Sequence, residues 1–116
     1  MSYDISLRDP DGDCDEINIT WNYAPHYYRV FAERPFRDDA ECAAFGYAQR
    51  LVMGGVRTIY GTTGAQSTPV LQAAIAQLGD DFDANYWAPT EGNARRALNK
   101  LLVMAQKRPA GVWEGD

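Results

Sequence analysis

The chain has 116 residues, 46% of them hydrophobic and 23% charged, which suffices for one packed core and is too little for two. Its formal net charge of −5, with no basic run, argues against binding duplex nucleic acid, where affinity comes from Lys and Arg neutralising phosphates. No apolar run approaches the roughly 18 residues of a membrane span, and the N-terminus lacks the basic and apolar segments of a secretory signal. A cytoplasmic protein with Cys14 and Cys42 as free thiols is therefore expected.

Tyr3, Ile5 and Leu7 alternate with Asp4, Ser6 and Arg8, the pattern of a half-buried strand. Asp9-Pro10-Asp11-Gly12 reads as a turn, because Pro presets its own φ and Gly accepts a positive one. A second alternation sets Ile17, Ile19, Trp21 and Tyr23 against Asn18, Thr20 and Asn22 and closes a β-hairpin. A lone hairpin is not stable in water, so its apolar face must lie on helices. Pro25 suits the first turn of one, in which Tyr27, Val30 and Phe31 share a face up to Pro35. Asp38 and Glu41 have capping-box spacing, and Ala44, Phe45, Ala48, Leu51 and Val52 carry a second helix to the Gly54-Gly55 break. Thr68-Pro69 opens a third, with Val70, Leu71, Ala74, Ile75 and Leu78 inward. Thr90 caps a fourth, whose stripe is Ala94, Ala97, Leu98, Leu101, Leu102 and Ala105, closed by Pro109. The remaining tail is expected to be irregular and anchored by Val112 and Trp113. The pattern predicts a single α+β domain, an N-terminal β-hairpin packed on a bundle of about four helices.

The residues define no activity by themselves. Asp9-x-Asp11-x-Asp13-x-Asp15 has the opening of a calcium loop, but the Gly and Glu that such a loop needs are replaced by Cys14 and Thr20, which leaves a solvated hairpin tip. Two Cys and one His are too few for a zinc site without recruited carboxylates, so no metal and no cofactor is expected. Gly61-Thr62-Thr63-Gly64, just before a helix, reads as a connecting loop or as one that contacts an anion; it lacks the Lys of a phosphate-binding Walker loop. His26 is the only histidine, and Ser2, Ser6 and Ser67 stand in no nucleophile-elbow context. Aromatic side chains mixed with amides and hydroxyls gather at element ends: Trp21, Asn22, Tyr23, His26 and Tyr27 at one junction, Arg57 beside Tyr60, and Tyr86 and Trp87 before Thr90 and Asn93. Apolar walls with a few orienting polar groups suit a small ligand, and aromatic faces stack bases; core packing explains many of the same rings.

Three stretches carry a resemblance: Asn18-Ile19-Thr20-Trp21-Asn22-Tyr23-Ala24-Pro25-His26-Tyr27-Tyr28, Arg57-Thr58-Ile59-Tyr60-Gly61-x-Thr63-Gly64 and Tyr86-Trp87-x-x-Thr90-Glu91-Gly92-Asn93-Ala94. With the closing Arg108-Pro109-x-Gly111-Val112-Trp113-x-Gly115-Asp116, they resemble a group of small uncharacterised proteins encoded by bacteriophages and prophages. The chain departs from that group between Phe36 and Gly55, where the group has a shorter connection. The resemblance implies a phage context and supplies no mechanism. The reading expected from residues and context together is a non-catalytic protein that sequesters a nucleotide-like molecule, a host immune signal among them. Its ligand-binding set is Asn22, Tyr23, His26, Arg57, Tyr60, Thr63, Trp87, Thr90 and Asn93. One alternative is an anti-defence protein whose acidic clusters, Asp80, Asp81 and Asp83 or the segment from Asp9 to Glu16, engage a host protein. Another is a small enzyme using His26 for acid–base work. Surplus exposed aromatics would point to a homo-oligomer.

Overall fold

The computed structural model describes residues 2–35, 40 and 52–116. Strand β1 (Ser2–Arg8) and strand β2 (Cys14–Thr20) form the expected antiparallel hairpin, with Tyr3 opposite Ile19 and Leu7 opposite Asp15. The connecting turn closes through the Asp9 amide on the Asp13 carbonyl and the Gly12 amide on the Asp9 carbonyl, with Gly12 at φ +97°. The acidic tip is not left to solvent alone. Arg108 pairs with both Asp9 and Asp15, and Lys107 adds a contact of 3.4 Å to Asp15. The Arg108 bond holds the Asp15 carboxyl below its ordinary value.

Strand β2 stops at Thr20, earlier than the alternation predicts. The Thr20 hydroxyl accepts the Asn22 amide and starts a 3-10 turn, Trp21–Tyr23, which runs into helix α1, Ala24–Val30, with Pro25 in its first turn. Tyr23 is thus buried from a turn rather than from a strand. Helix α1 ends at Val30, well short of Pro35, and Arg34–Pro35 (β3) pairs with Val52–Met53 (β4). The helix expected after Asp38 lies otherwise outside the described residues, but Val52 belongs to a strand pair and not to that helix.

A second 3-10 turn, Gly55–Ile59, leads to helix α2, Gly64–Ala76, and helix α3 follows at Glu91–Lys107. Helix α2 starts about one turn before the Thr68-Pro69 signal, because Thr63 and Gln66 form a reciprocal capping box. The tail is a strand, where an irregular segment was expected: β5, Val112–Gly115, pairs antiparallel with β1 and makes the sheet order β2-β1-β5.

The architecture is therefore α+β, a three-stranded antiparallel sheet and, among the described residues, three α-helices. Tyr3, Ile5, Leu7, Ile19 and Trp113 cover the inner face of the sheet and meet Tyr27, Ile59, Leu71, Leu98 and Leu101 in one core. Each such aliphatic side chain contributes about 1.5–3 kcal/mol by leaving water. Two polar groups of the core are matched: the Tyr27 hydroxyl donates to the Ala94 carbonyl at 3.0 Å, and Trp113 Nε1 donates to Ser67 Oγ at 2.7 Å. No helix among the described residues is long and apolar enough to cross a membrane.

Candidate functional site

The segment between α2 and α3, residues 79–90, is exposed along most of its length yet held at nearly every peptide. From the α1 side, three neighbouring side chains take three of its carbonyls. Tyr23 donates to Tyr86, Asn22 to Trp87 at 2.8 Å, and His26 Nε2 to Pro89 at 2.8 Å. The Tyr86 hydroxyl accepts the Thr20 amide at 3.0 Å and donates to the Asn18 carbonyl at 3.3 Å, which ties the segment to the end of β2. From the α3 side, buried Asn93 (4% exposed) accepts the Asp83 amide at 3.0 Å and donates to the carbonyls of Asn85 and Ala88 at 2.9 and 3.1 Å.

Capping completes the clasp. The Thr90 hydroxyl receives the Asn93 amide, Asp81 receives the Gly92 amide, and Glu91 receives the Gly79 amide. That last bond, with Arg29 beside it, holds the Glu91 carboxyl below its ordinary value. Gly92 is required here by space. A Cβ at this position would sit 2.6 Å from the Phe82 nitrogen and 2.7 Å from the Asp81 carbonyl carbon.

Six of the nine residues expected in a ligand site, Asn22, Tyr23, His26, Trp87, Thr90 and Asn93, thus come together, and mostly they build the segment 79–90. His26 has both ring nitrogens engaged: a carbonyl can only accept, so Nε2 carries the proton, and Nδ1 faces Arg29 at 3.4 Å. The other three lie elsewhere. Arg57 lies beside the stacked rings of Tyr3 and Trp21, at 5.2 and 5.4 Å from their centroids, and donates to the main-chain oxygen of Asp116 at 2.7 Å. Tyr60 is buried against Gly115, and its phenol is pushed well above the ordinary range mainly by burial. Thr63 spends its hydroxyl on the α2 cap.

The amides that would meet an anion at the start of α2 are also committed. Gly61 donates to Trp113, Gly64 to Gly111, Ala65 to Pro109, and Gln66 and Ser67 to Thr63. The motif Gly61-Thr62-Thr63-Gly64 joins the tail to the helix, and no N–H from Gly64 to Ser67 is left pointing at a ligand.

Beneath the clasped segment lies a cavity of about 190 Å³. Tyr23, Phe82 and Tyr86 form its aromatic walls, Asn93 and Asp83 its polar edge, and Arg96 and Lys100 of α3 its cationic rim. Tyr23 and Tyr86 meet edge to face at 5.7 Å, and the Arg96 guanidinium lies 4.4 Å over the Phe82 ring. Phe82 is 55% exposed, so the part of its ring that Arg96 does not cover faces solvent. Among the described residues neither Arg96 nor Lys100 is paired with a carboxylate. Burial, with Tyr86 nearby, raises the Tyr23 phenol and keeps it a neutral donor. The described residues that line the cavity offer stacking, hydrogen bonds and positive charge.

A larger depression, about 350 Å³, lies on the outer face of the hairpin between Asp4, Ser6, Glu16 and Asn18. Among the described residues it has no aromatic wall and no cation, and Asn18 is already bonded to Ser2 and Asp4. The cavity under Phe82 is the better candidate. Sequence reasoning did not single out Phe82, Arg96 or Lys100. The signal for the last two is their spacing of one helical turn on α3, whose basic side chains Arg95, Arg96, Lys100 and Lys107 stand against the acidic Glu91 alone in a net acidic chain.

No protein family matches the chain, and no curated protein or solved structure matches it either.

Proposed function

We propose that this chain is a small binding protein without catalysis whose ligand is a nucleotide-like anion held under Phe82. The observation that carries this reading is one cavity combining three aromatic rings with two cations that, among the described residues, form no ion pair with a carboxylate. A flat ring packs against Phe82 and Tyr86, with buried Tyr23 behind them, Asn93 and Asp83 stand at its polar edge, and Arg96 and Lys100 meet phosphate. In the phage context that the motif resemblance implies, such a protein sequesters the molecule in the host cytoplasm, and a nucleotide immune signal is the natural target.

The acidic-surface alternative has less support. Asp81 and Asp83 accept main-chain amides, and Asp9 and Asp15 hold Arg108, so much of the acidic charge has work inside the molecule.

The test is a thermal-shift panel of mononucleotides, cyclic nucleotides and ADP-ribose derivatives. A ligand at a hundred times its dissociation constant adds about 2.7 kcal/mol, which moves the midpoint of a domain this size by roughly ten degrees. Arg96→Ala and Lys100→Ala change exposed side chains, so they are expected to fold normally and to weaken binding by about 10- to 100-fold each, the worth of a charged hydrogen bond. A flat panel, or a shift that both variants retain in full, refutes the proposal.

A further inference from the structure

The cavity under Phe82 does not end at its cationic rim. A second, wider depression of about 440 Å³ runs from Arg96 and Lys100 along α3 toward the edge of β2, between Ile17, Val103 and Met104, with Asn99 and Glu16 beside them. Arg96 and Lys100 are the two residues common to both hollows. Residues 96, 99, 100 and 103 follow at helical spacing, so they share one face of α3, opposite the buried stripe of Leu98, Leu101 and Ala105. From Arg96 to Val103 that face is about 10 Å long. Val103 is 63% exposed on it, a large aliphatic side chain that the fold does not use.

The charges along this face are ordered. Of these two hollows Asp83 lines the first and Glu16 the second, and the two cations stand where they meet. A ligand that suits this order has its phosphate at the centre and a ring with N–H donors on either side. A mononucleotide fills one half. A chain of several phosphates brings negative charge against Asp83 or Glu16.

Resting on the nucleotide reading above, we infer that the ligand contains two ring systems joined through phosphate, a free dinucleotide in class. Its first ring lies against Phe82 and Tyr86, and its second against Ile17, Val103 and Met104. A dinucleotide step inside a longer single strand offers the same two rings, but its flanking phosphates approach the carboxylates at both ends, so the strand binds more weakly.

The experiment is calorimetric titration of the full chain with AMP and GMP, with linear and cyclic dinucleotides of adenine and of guanine, and with a single-stranded oligonucleotide of the same base. One dinucleotide is expected to bind roughly tenfold or more tightly than its mononucleotide, the gain of burying a second ring against the apolar side chains of Ile17, Val103 and Met104. Val103→Glu is expected to remove that advantage, whereas Phe82→Ala weakens mononucleotide and dinucleotide together. Equal affinity of the two ligand sizes, or a dinucleotide affinity that Val103→Glu leaves intact, overturns the two-ring inference while the single-ring reading stands. Tighter binding of the longer strand overturns the assignment to a free dinucleotide. Absence of heat with every ligand overturns both readings.

Discussion

Asn93 is the residue on which the segment over the cavity depends most, and its replacement has a calculable cost. The side chain is buried, and its three bonds to Asp83, Asn85 and Ala88 use its one acceptor and both donors in a single orientation. Asn93→Ala removes all three. At about 0.5–1.5 kcal/mol for each bond, and with water reaching part of this exposed segment, the net loss should be about 2–3 kcal/mol. That corresponds to a melting midpoint lower by about 10 °C. Because Phe82 and Tyr86 ride on the same segment, ligand affinity should fall further than the stability loss alone explains. Asn93→Asp separates this account from simple loss of packing. The retained oxygen keeps the bond from the Asp83 amide, but the new oxygen, standing where the amide nitrogen was, faces the carbonyls of Asn85 and Ala88, so this nearly isosteric change should destabilise at least as much as alanine. Differential scanning calorimetry on both variants, with nucleotide titration beside it, measures the effects. A near-normal midpoint for Asn93→Asp would refute the assigned role.

Three further outcomes follow from the same geometry. Gly92→Ala places a methyl group against the main chain of Asp81 and Phe82, which cannot rotate away, and should cost about 1–3 kcal/mol of overpacking; retained far-UV circular dichroism with a normal midpoint would contradict it. Trp113→Ala opens the core where β5 joins β1 and should cost about 3–5 kcal/mol, read as a large drop in the urea midpoint. Tyr23, Tyr27 and Tyr60 hold their protons above the ordinary value of 10.0. Above that pH the unfolded chain binds fewer protons than the native one, so the contribution of these phenols, full below pH 10, is lost as pH rises through their folded values. Urea midpoints from about pH 8 to 11 should fall, and a flat profile would count against these burials.

Much of the fold is legible from local pattern. The alternation of Tyr3, Ile5 and Leu7 marks an inner sheet face, and the Thr90 cap with the stripe through Leu98 and Leu101 places α3. The misses share a cause, which is partners distant in the chain. The first amides of α2 are satisfied by Gly111 and Pro109, so that helix begins ahead of its proline, and the tail becomes a strand because β1 offers it an edge. The site divides in the same way. The motif residues Asn22, His26, Thr90 and Asn93 are conspicuous because they are polar at element ends, yet they mainly secure a segment. Phe82, Arg96 and Lys100, which present themselves to a ligand, look in the sequence like an ordinary solvated face. Their proximity is a product of the clasp, and no local pattern encodes it.

The central claim is that the cavity under Phe82 is where the ligand sits, and amide chemical-shift mapping tests it most directly. Titrating the labelled chain with the nucleotide of the panel that binds most tightly should move the amides of Asp83, Tyr86, Asn93, Arg96 and Lys100 and leave those from Gly61 to Ser67 in place. Shifts confined to Arg57, Tyr60 and the start of α2 would contradict the account and return the site to the loop that the sequence first suggests.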